Sequence, residues 1–269
     1  MRNEPLNAYS LHQRPYQEKR CIYYLFTKEH GVVHGIAKKG IPQFAPLMLF
    51  ATGKKSLKTL QQVNIVEAVP RLVGQQQYAA LYINEITLKL LPVEDSMPLV
   101  FEQYGHTITQ LQQSLSPKQL KLVLRHYEQA LFSELGFAID LEQDSEQDLI
   151  TESQWYHFAP DRGWVKQSVP TSQAKTIADS SLSSQNSLKD PQSSVTTSNA
   201  SASQYAQRNP SAFMQQSSID GKTIIAMQSG INDQTLDSWT NIHRQLVDHL
   251  FDYQPLQSRI LWQQFYSYQ

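Results

Sequence analysis

Apolar residues in the first seventy positions recur in short alternating runs, the period of strands rather than helices. Residues 22–26 are aromatic and β-branched, and Val32, Val33, Ile36 and Ala37 follow a turn at Gly31. Residues 46–50 are a compact apolar run, and Gly53, Lys54, Lys55 and Ser56 read as a basic hairpin tip. Leu57, Thr59, Gln61, Val63, Ile65 and Glu67 are expected to form one face of a last strand, ending before Pro70. Five such strands predict a small closed barrel and leave an OB and an SH3-like arrangement both open.

From about Gln75 the period becomes helical. Ala79, Ile83, Ile86 and Leu90 recur at threes and fours, with Leu81, Tyr82 and Leu88 opposite, so the first helix should be buried on most sides. Pro98 opens a second helix with Phe101, Tyr104, Ile108, Leu111 and Leu115 on one stripe. Ser116, Pro117 and Gln119 predict a capping box for a third. Leu120, Leu124, Tyr127, Leu131 and Leu135 form its stripe, and Gly136 is its stop. An acidic loop spans 140–152, and residues 155–165, with Asp161, Arg162 and Gly163 in the middle, read as a β-hairpin.

Residues 167–218 are rich in Ser, Gln, Thr and Asn and nearly lack aliphatic residues; they are expected to be disordered. Order should resume near Ile219, with residues 219–226 pairing with the hairpin. A helix follows with Leu236, Trp239, Ile242, Leu246 and Leu250 on one stripe; after Pro255, Ile260, Leu261 and Phe265 close the chain. The expected class is α+β: a barrel over 1–73, then a helical domain over 74–269 with a small hairpin, interrupted at 167–218.

Charge sharpens this division. The net charge of −1 suggests no nucleic-acid partner, yet residues 1–80 hold eleven Lys and Arg against four acids, a net +7. Residues 81–165 hold five against thirteen, a net −8. Two surfaces with different tasks follow, the basic one suited to phosphates.

Cys21 is the single cysteine, which excludes an intramolecular disulfide and a multi-cysteine zinc site. Glu94 and Asp95 read as a turn or helix start rather than a catalytic pair. His30 and His34 are separated by Gly31, and His243 and His249 have poor metal spacing. No Walker motif, nucleophile elbow or acidic metal cluster is present, so no enzyme is expected. Without an apolar signal region or a run of roughly 18 apolar residues, a cytosolic location is expected, with no membrane partner.

Arg14, Pro15, Tyr16, Gln17 and Glu18, then Leu25, Phe26 and Thr27, Gly31, and Ala37, Lys38, Lys39 and Gly40 resemble the opening of bacterial RecO proteins. Tyr82, Ile83, Asn84 and Glu85 with Leu90, Leu91 and Glu94 resemble the family's first helix after the barrel. Leu124, Arg125, Glu128, Leu131, Leu135, Gly136 and Phe137 resemble a later one, and residues 256–259, Leu-Gln-Ser-Arg, its C-terminal turn.

This resemblance implies an N-terminal OB barrel, a helical domain and a small, often zinc-bearing subdomain. It implies binding of single- and double-stranded DNA, strand annealing and RecA loading with RecR, association with the nucleoid during repair, and a grip on the C-terminal tail of the single-strand binding protein SSB. Where many members place cysteines, Asp140, Leu141, Glu142 and Gln143 stand here, so no zinc or other cofactor is expected.

For DNA, the candidates are Arg14, Lys19, Arg20, Phe26, Lys28, Lys38, Lys39, Lys54, Lys55 and Lys58. Tyr23, Tyr24, Phe26 and Phe44 interleave with the cations, as a strand-binding groove with stacking faces requires. For the acidic SSB tail the candidates are Arg125 and Lys121, a cation pair beside apolar neighbours; an internal ion pair of Arg125 with Glu128 or Glu85 is the alternative. A protein-docking adaptor remains the alternative to a DNA-binding mediator.

Overall fold

The computed structural model describes residues 4–167 and 218–267. Most of the Ser/Gln-rich stretch lies outside the described residues. The chain divides into two compact units, Met1–Glu142 with Thr223–Gln269, and Gln143–Lys222.

In the first unit, β1 (Glu4–Gln17), β2 (Arg20–Thr27), β3 (Gly31–Lys38), β4 (Leu47–Thr52) and β5 (Leu57–Ile65) close into a barrel of order β1-β2-β3-β5-β4. All pairings are antiparallel except that of β3 with β5. This is the OB arrangement, which settles the choice against an SH3-like barrel. Leu6, Ala8, Tyr23, Leu25, Leu47, Leu49 and Leu60 fill its interior. Gly35 faces inward opposite Lys58, and a Cβ there would stand 2.4 Å from the Leu60 side chain, so only glycine leaves that leucine its place.

Strand β5 does not present the single face expected of it. Leu57 and Thr59 point out, whereas Lys58 and Leu60 are buried. Gln62 then takes φ 50°, and the pairing with β4 slips between Met48 and Phe50. This bulge turns Val63 back to the core, so strict alternation fails across it.

A second irregularity ties the barrel to the helices α1 (Gly74–Leu90), α2 (Pro98–Leu111) and α3 (Pro117–Glu134). Strand β1 slips between Ser10 and His12, which takes the Leu11 carbonyl out of the ladder. Asn84 Nδ2 of α1 donates to that carbonyl at 2.8 Å, and Gln43 Nε2 does so at 2.8 Å. Tyr104 of α2 donates its hydroxyl to Asn84 Oδ1 at 2.6 Å, completing a buried relay from α2 through α1 to β1. Beside it, the outward rings of Tyr9 and Phe26 pack against Phe101 and Tyr104.

The third helix has the predicted ends. Gln119 N donates to Ser116 Oγ at 3.3 Å, and Ser116 N to Gln119 Oε1 at 2.9 Å. At its C-terminus Gly136 has φ 83°, and Phe137 N bonds the Phe132 carbonyl at 2.8 Å, a Schellman stop. Helices α5 (Leu236–Leu250) and α6 (Gln257–Ser267) pack on α3 and α1 respectively.

The second unit holds the expected hairpin, β6 (Trp155–Ala159) and β7 (Gly163–Gln167), turning at a Gly163 of φ 80°. Within 219–226, Ile219 and Asp220 pair with it, as the two-residue β8. The chain then turns into α4 (Gly221–Met227), so strand pairing over 219–226 is cut short.

Candidate nucleic-acid interface

Strand register gathers the N-terminal cations at one rim of the barrel. Gln17 pairs with Arg20 and Arg20 with Lys38, while Lys39 N bonds the Lys19 carbonyl at 3.2 Å. Lys19, Arg20, Lys38 and Lys39 therefore converge, and Arg14 follows on β1, opposite Ile22. All five are exposed. Lys54 and Lys55, also exposed, sit at the β4–β5 tip. Since Leu57 pairs in parallel with His34, that tip lies toward the start of β3, at the end remote from Lys38. Two basic rims thus flank the outer face of β1, β2 and β3, where an OB barrel carries oligonucleotide ligands.

Three expected residues play other parts. Phe26 is fully buried under α2 and offers no face for stacking. Its outward direction on β2 was readable, but the covering helix was not. Lys58 is 3% exposed; its Nζ lies 2.7 Å from Glu94 Oε1 and donates to the Lys55 carbonyl at 2.8 Å, which removes it from the free cations. Lys28 remains exposed but is paired with Glu102 at 2.9 Å. Of the other interleaved aromatics, Tyr23 points into the core, and Phe44 lines an apolar cavity of about 410 Å³ with Ile65, Val69 and Leu72. Tyr24 stays half-buried on the outer face. Its neighbours there, His12 and His34, went unrecognised as a site because spacing along the chain tests only for metal ligands; the signal lies in cross-strand register. Burial, then the charge of Arg14, lowers the pKa of His34, against the opposing pull of Glu94.

In the helical part, Arg125 is engaged internally. Its guanidinium lies 2.5 Å from Glu128 Oε1, and its side chain is 11% exposed. Glu128 is wholly buried, accepts from Tyr82 Oη at 2.6 Å, and faces His243 Nδ1 at 3.0 Å. Burial raises the Glu128 pKa, but Arg125, His243 and Tyr82 together outweigh it and hold the carboxylate below its ordinary value. Lys121, one turn earlier, is exposed. One turn later, Gln129 and Phe132 line a cavity of about 210 Å³ with Phe137, Ile139 and Trp239.

Comparison with known proteins decides the family. The family model described as Recombination protein O N terminal matches residues 1–69, and that for Recombination protein O C terminal matches residues 72–208. The chain belongs to the RecO family of DNA repair proteins. It is similar to the DNA repair protein RecO of Pseudoalteromonas atlantica, 34% identical over 178 residues, 62% of this chain and 73% of the relative. With RecO of Idiomarina loihiensis it shares 32% over 186 residues, 64% and 78% of the two chains. With that of Nitrosococcus oceani it shares 32% over 171 residues, 59% and 68%.

The two RecO models meet where the barrel ends and α1 begins. Cys21 and Asp144 are both committed within the fold. Cys21 is buried in the barrel core. The Asp144 carboxylate is occupied by the backbone N–H groups of Glu146 and Asp148, at 2.9 and 3.1 Å, and by Lys166 at 3.1 Å. Among the described residues no helix is long and apolar enough to cross a membrane.

Proposed function

We propose that this RecO-family protein binds single- and double-stranded DNA on its barrel, anneals complementary strands and, with RecR and SSB, promotes RecA loading on DNA in the cytoplasm. The observation that carries this reading is the pair of basic rims, Arg14, Lys19, Arg20, Lys38 and Lys39 on one side and Lys54 and Lys55 on the other. Phosphates laid across the face meet cations at both edges, and releasing their counterions drives binding. The reading includes no catalytic step and no metal. The SSB tail is assigned to Lys121, an exposed cation on α3, with the cavity lined by Gln129, Phe132, Phe137, Ile139 and Trp239 two turns further along the same helix.

The test is fluorescence anisotropy with a single-stranded oligonucleotide across a salt series. Affinity should fall linearly in log–log form with a slope reporting several phosphate contacts. Affinity independent of salt, or absent at low salt, refutes the reading.

A further inference from the structure

Between the two rims, four residues form one row across four strands. His12 of β1 pairs with Tyr24 of β2, Tyr24 with His34 of β3, and His34 with Leu57 of β5. Their common direction follows from the interior. Tyr23, Leu25, Gly35 and Lys58 are the adjacent positions and face inward, so the row faces outward.

The ring centroids of His12 and Tyr24 stand 5.6 Å apart at 45°, and those of Tyr24 and His34 4.6 Å apart at 65°. The rings are tilted against one another rather than sandwiched. The same outer face two pairs along, at Tyr9 and Phe26, is sealed by Phe101 and Tyr104, yet the row itself remains open: His12 and Leu57 are exposed, Tyr24 and His34 half-exposed. The row ends at Leu57, next to the Lys54–Lys55 tip, and Arg14 adjoins it on the other side.

We infer that His12, Tyr24 and His34 form a base-stacking platform for unpaired nucleotides, running between the basic rims. Rings take the π-faces of bases that a duplex keeps stacked on one another, so the platform selects single strands, while the rims hold phosphates of either form. The inference rests on the DNA-binding reading above and adds a division of labour: cations for backbone, this row for bases.

The test uses the full chain and three probes: an oligothymidylate, an abasic strand of the same length, and a duplex. Each lost ring should weaken the oligothymidylate by roughly 10-fold, within the range for one base–aromatic stack. His12→Ala removes an exposed side chain and Tyr24→Ala a half-buried one, while Tyr24→Trp should restore binding. Abasic-strand affinity, duplex affinity and the salt slope should stay unchanged in every variant. The platform is overturned if the wild type binds abasic and base-bearing strands equally, or if His12→Ala, folded as judged by its melting temperature, weakens all three probes alike. A wild type that binds none of the probes overturns the DNA reading itself, and this inference with it.

Discussion

Asn84 of α1 reaches the Leu11 carbonyl of β1 at 2.8 Å, filling an acceptor that the slip in β1 has taken out of the sheet. The bond lies wholly inside the molecule, and Tyr104 depends on the same amide as its acceptor. Asn84→Leu therefore strands the buried Tyr104 hydroxyl and leaves the Leu11 carbonyl with Gln43 as its one remaining side-chain donor. A buried unsatisfied group costs about 1–3 kcal/mol, so urea unfolding should show a loss of that size. Asn84→Asp should be nearly as harmful, since a carboxylate cannot donate to a carbonyl. A loss below about 1 kcal/mol for Asn84→Leu, within the range of an ordinary surface change, would mean the relay does not hold the helices to the barrel.

The basic rims and Lys58 should separate cleanly. Reversing Lys38, Lys39, Lys54 and Lys55 to Glu should abolish strand binding and annealing, because four exposed cations become anions on the phosphate path. Single changes at these positions should lower the salt slope by roughly one each. Lys58→Ala should leave that slope intact and lower stability by about 1–3 kcal/mol, since its ammonium is committed to Glu94 and the Lys55 carbonyl. Measuring both quantities on both variants checks the assignment; a slope change for Lys58→Ala contradicts it.

Acid should act on the helical core through Glu128. Its folded pKa is held below the ordinary value of 4.5, so the stability it contributes is full above that value and is lost as pH falls toward the folded one. Urea midpoints should decline below about pH 4.5, and Glu128→Gln should flatten the part of that decline due to this residue. Glu85, also lowered against its own burial by Lys89, Ser258 and the Gln257 backbone, contributes a further part that the variant retains. Identical pH profiles for Glu128→Gln and wild type would show that Glu128 does not carry the acid sensitivity.

Much of this fold was legible in the chain because local rules agreed with the tertiary result. The capping box at Ser116 and Gln119, the stop at Gly136 and the turn at Gly163 are backbone requirements that few residues meet. Where burial depends on a distant element, the pattern was silent. Phe26 looked available until α2 covered it, and Lys58 looked like its exposed neighbours until Glu94, from the segment between α1 and α2, reached it. Bulges at Leu11 and Gln62 broke the period of β1 and β5, and β1 was never delimited from the sequence. The row of His12, Tyr24 and His34 is invisible along the chain, since each member is separated from the next by ten or more residues and united only by register.

Lys121 and Arg125 share a helix but should respond differently to substitution. Arg125→Ala removes the guanidinium that balances a buried carboxylate, leaving Glu128 with His243 and Tyr82 alone. Breaking a buried pair from one side costs about 3–5 kcal/mol, so this variant should unfold early and cannot by itself report on a binding site. Lys121 is exposed, and Lys121→Glu should leave stability within about 0.5 kcal/mol of wild type. Facing an acidic SSB-tail peptide, the same change replaces attraction with repulsion and should weaken binding about tenfold, or 1.4 kcal/mol, while oligonucleotide affinity stays unchanged. Narrowing the cavity two turns further along α3 with Ala138→Trp, a residue of its lining, should weaken the peptide further while strand binding stays unchanged. Peptide titrations of the two variants, each with its unfolding curve, check the assignment. Unchanged peptide affinity in both Lys121→Glu and Ala138→Trp would remove the tail from this helix.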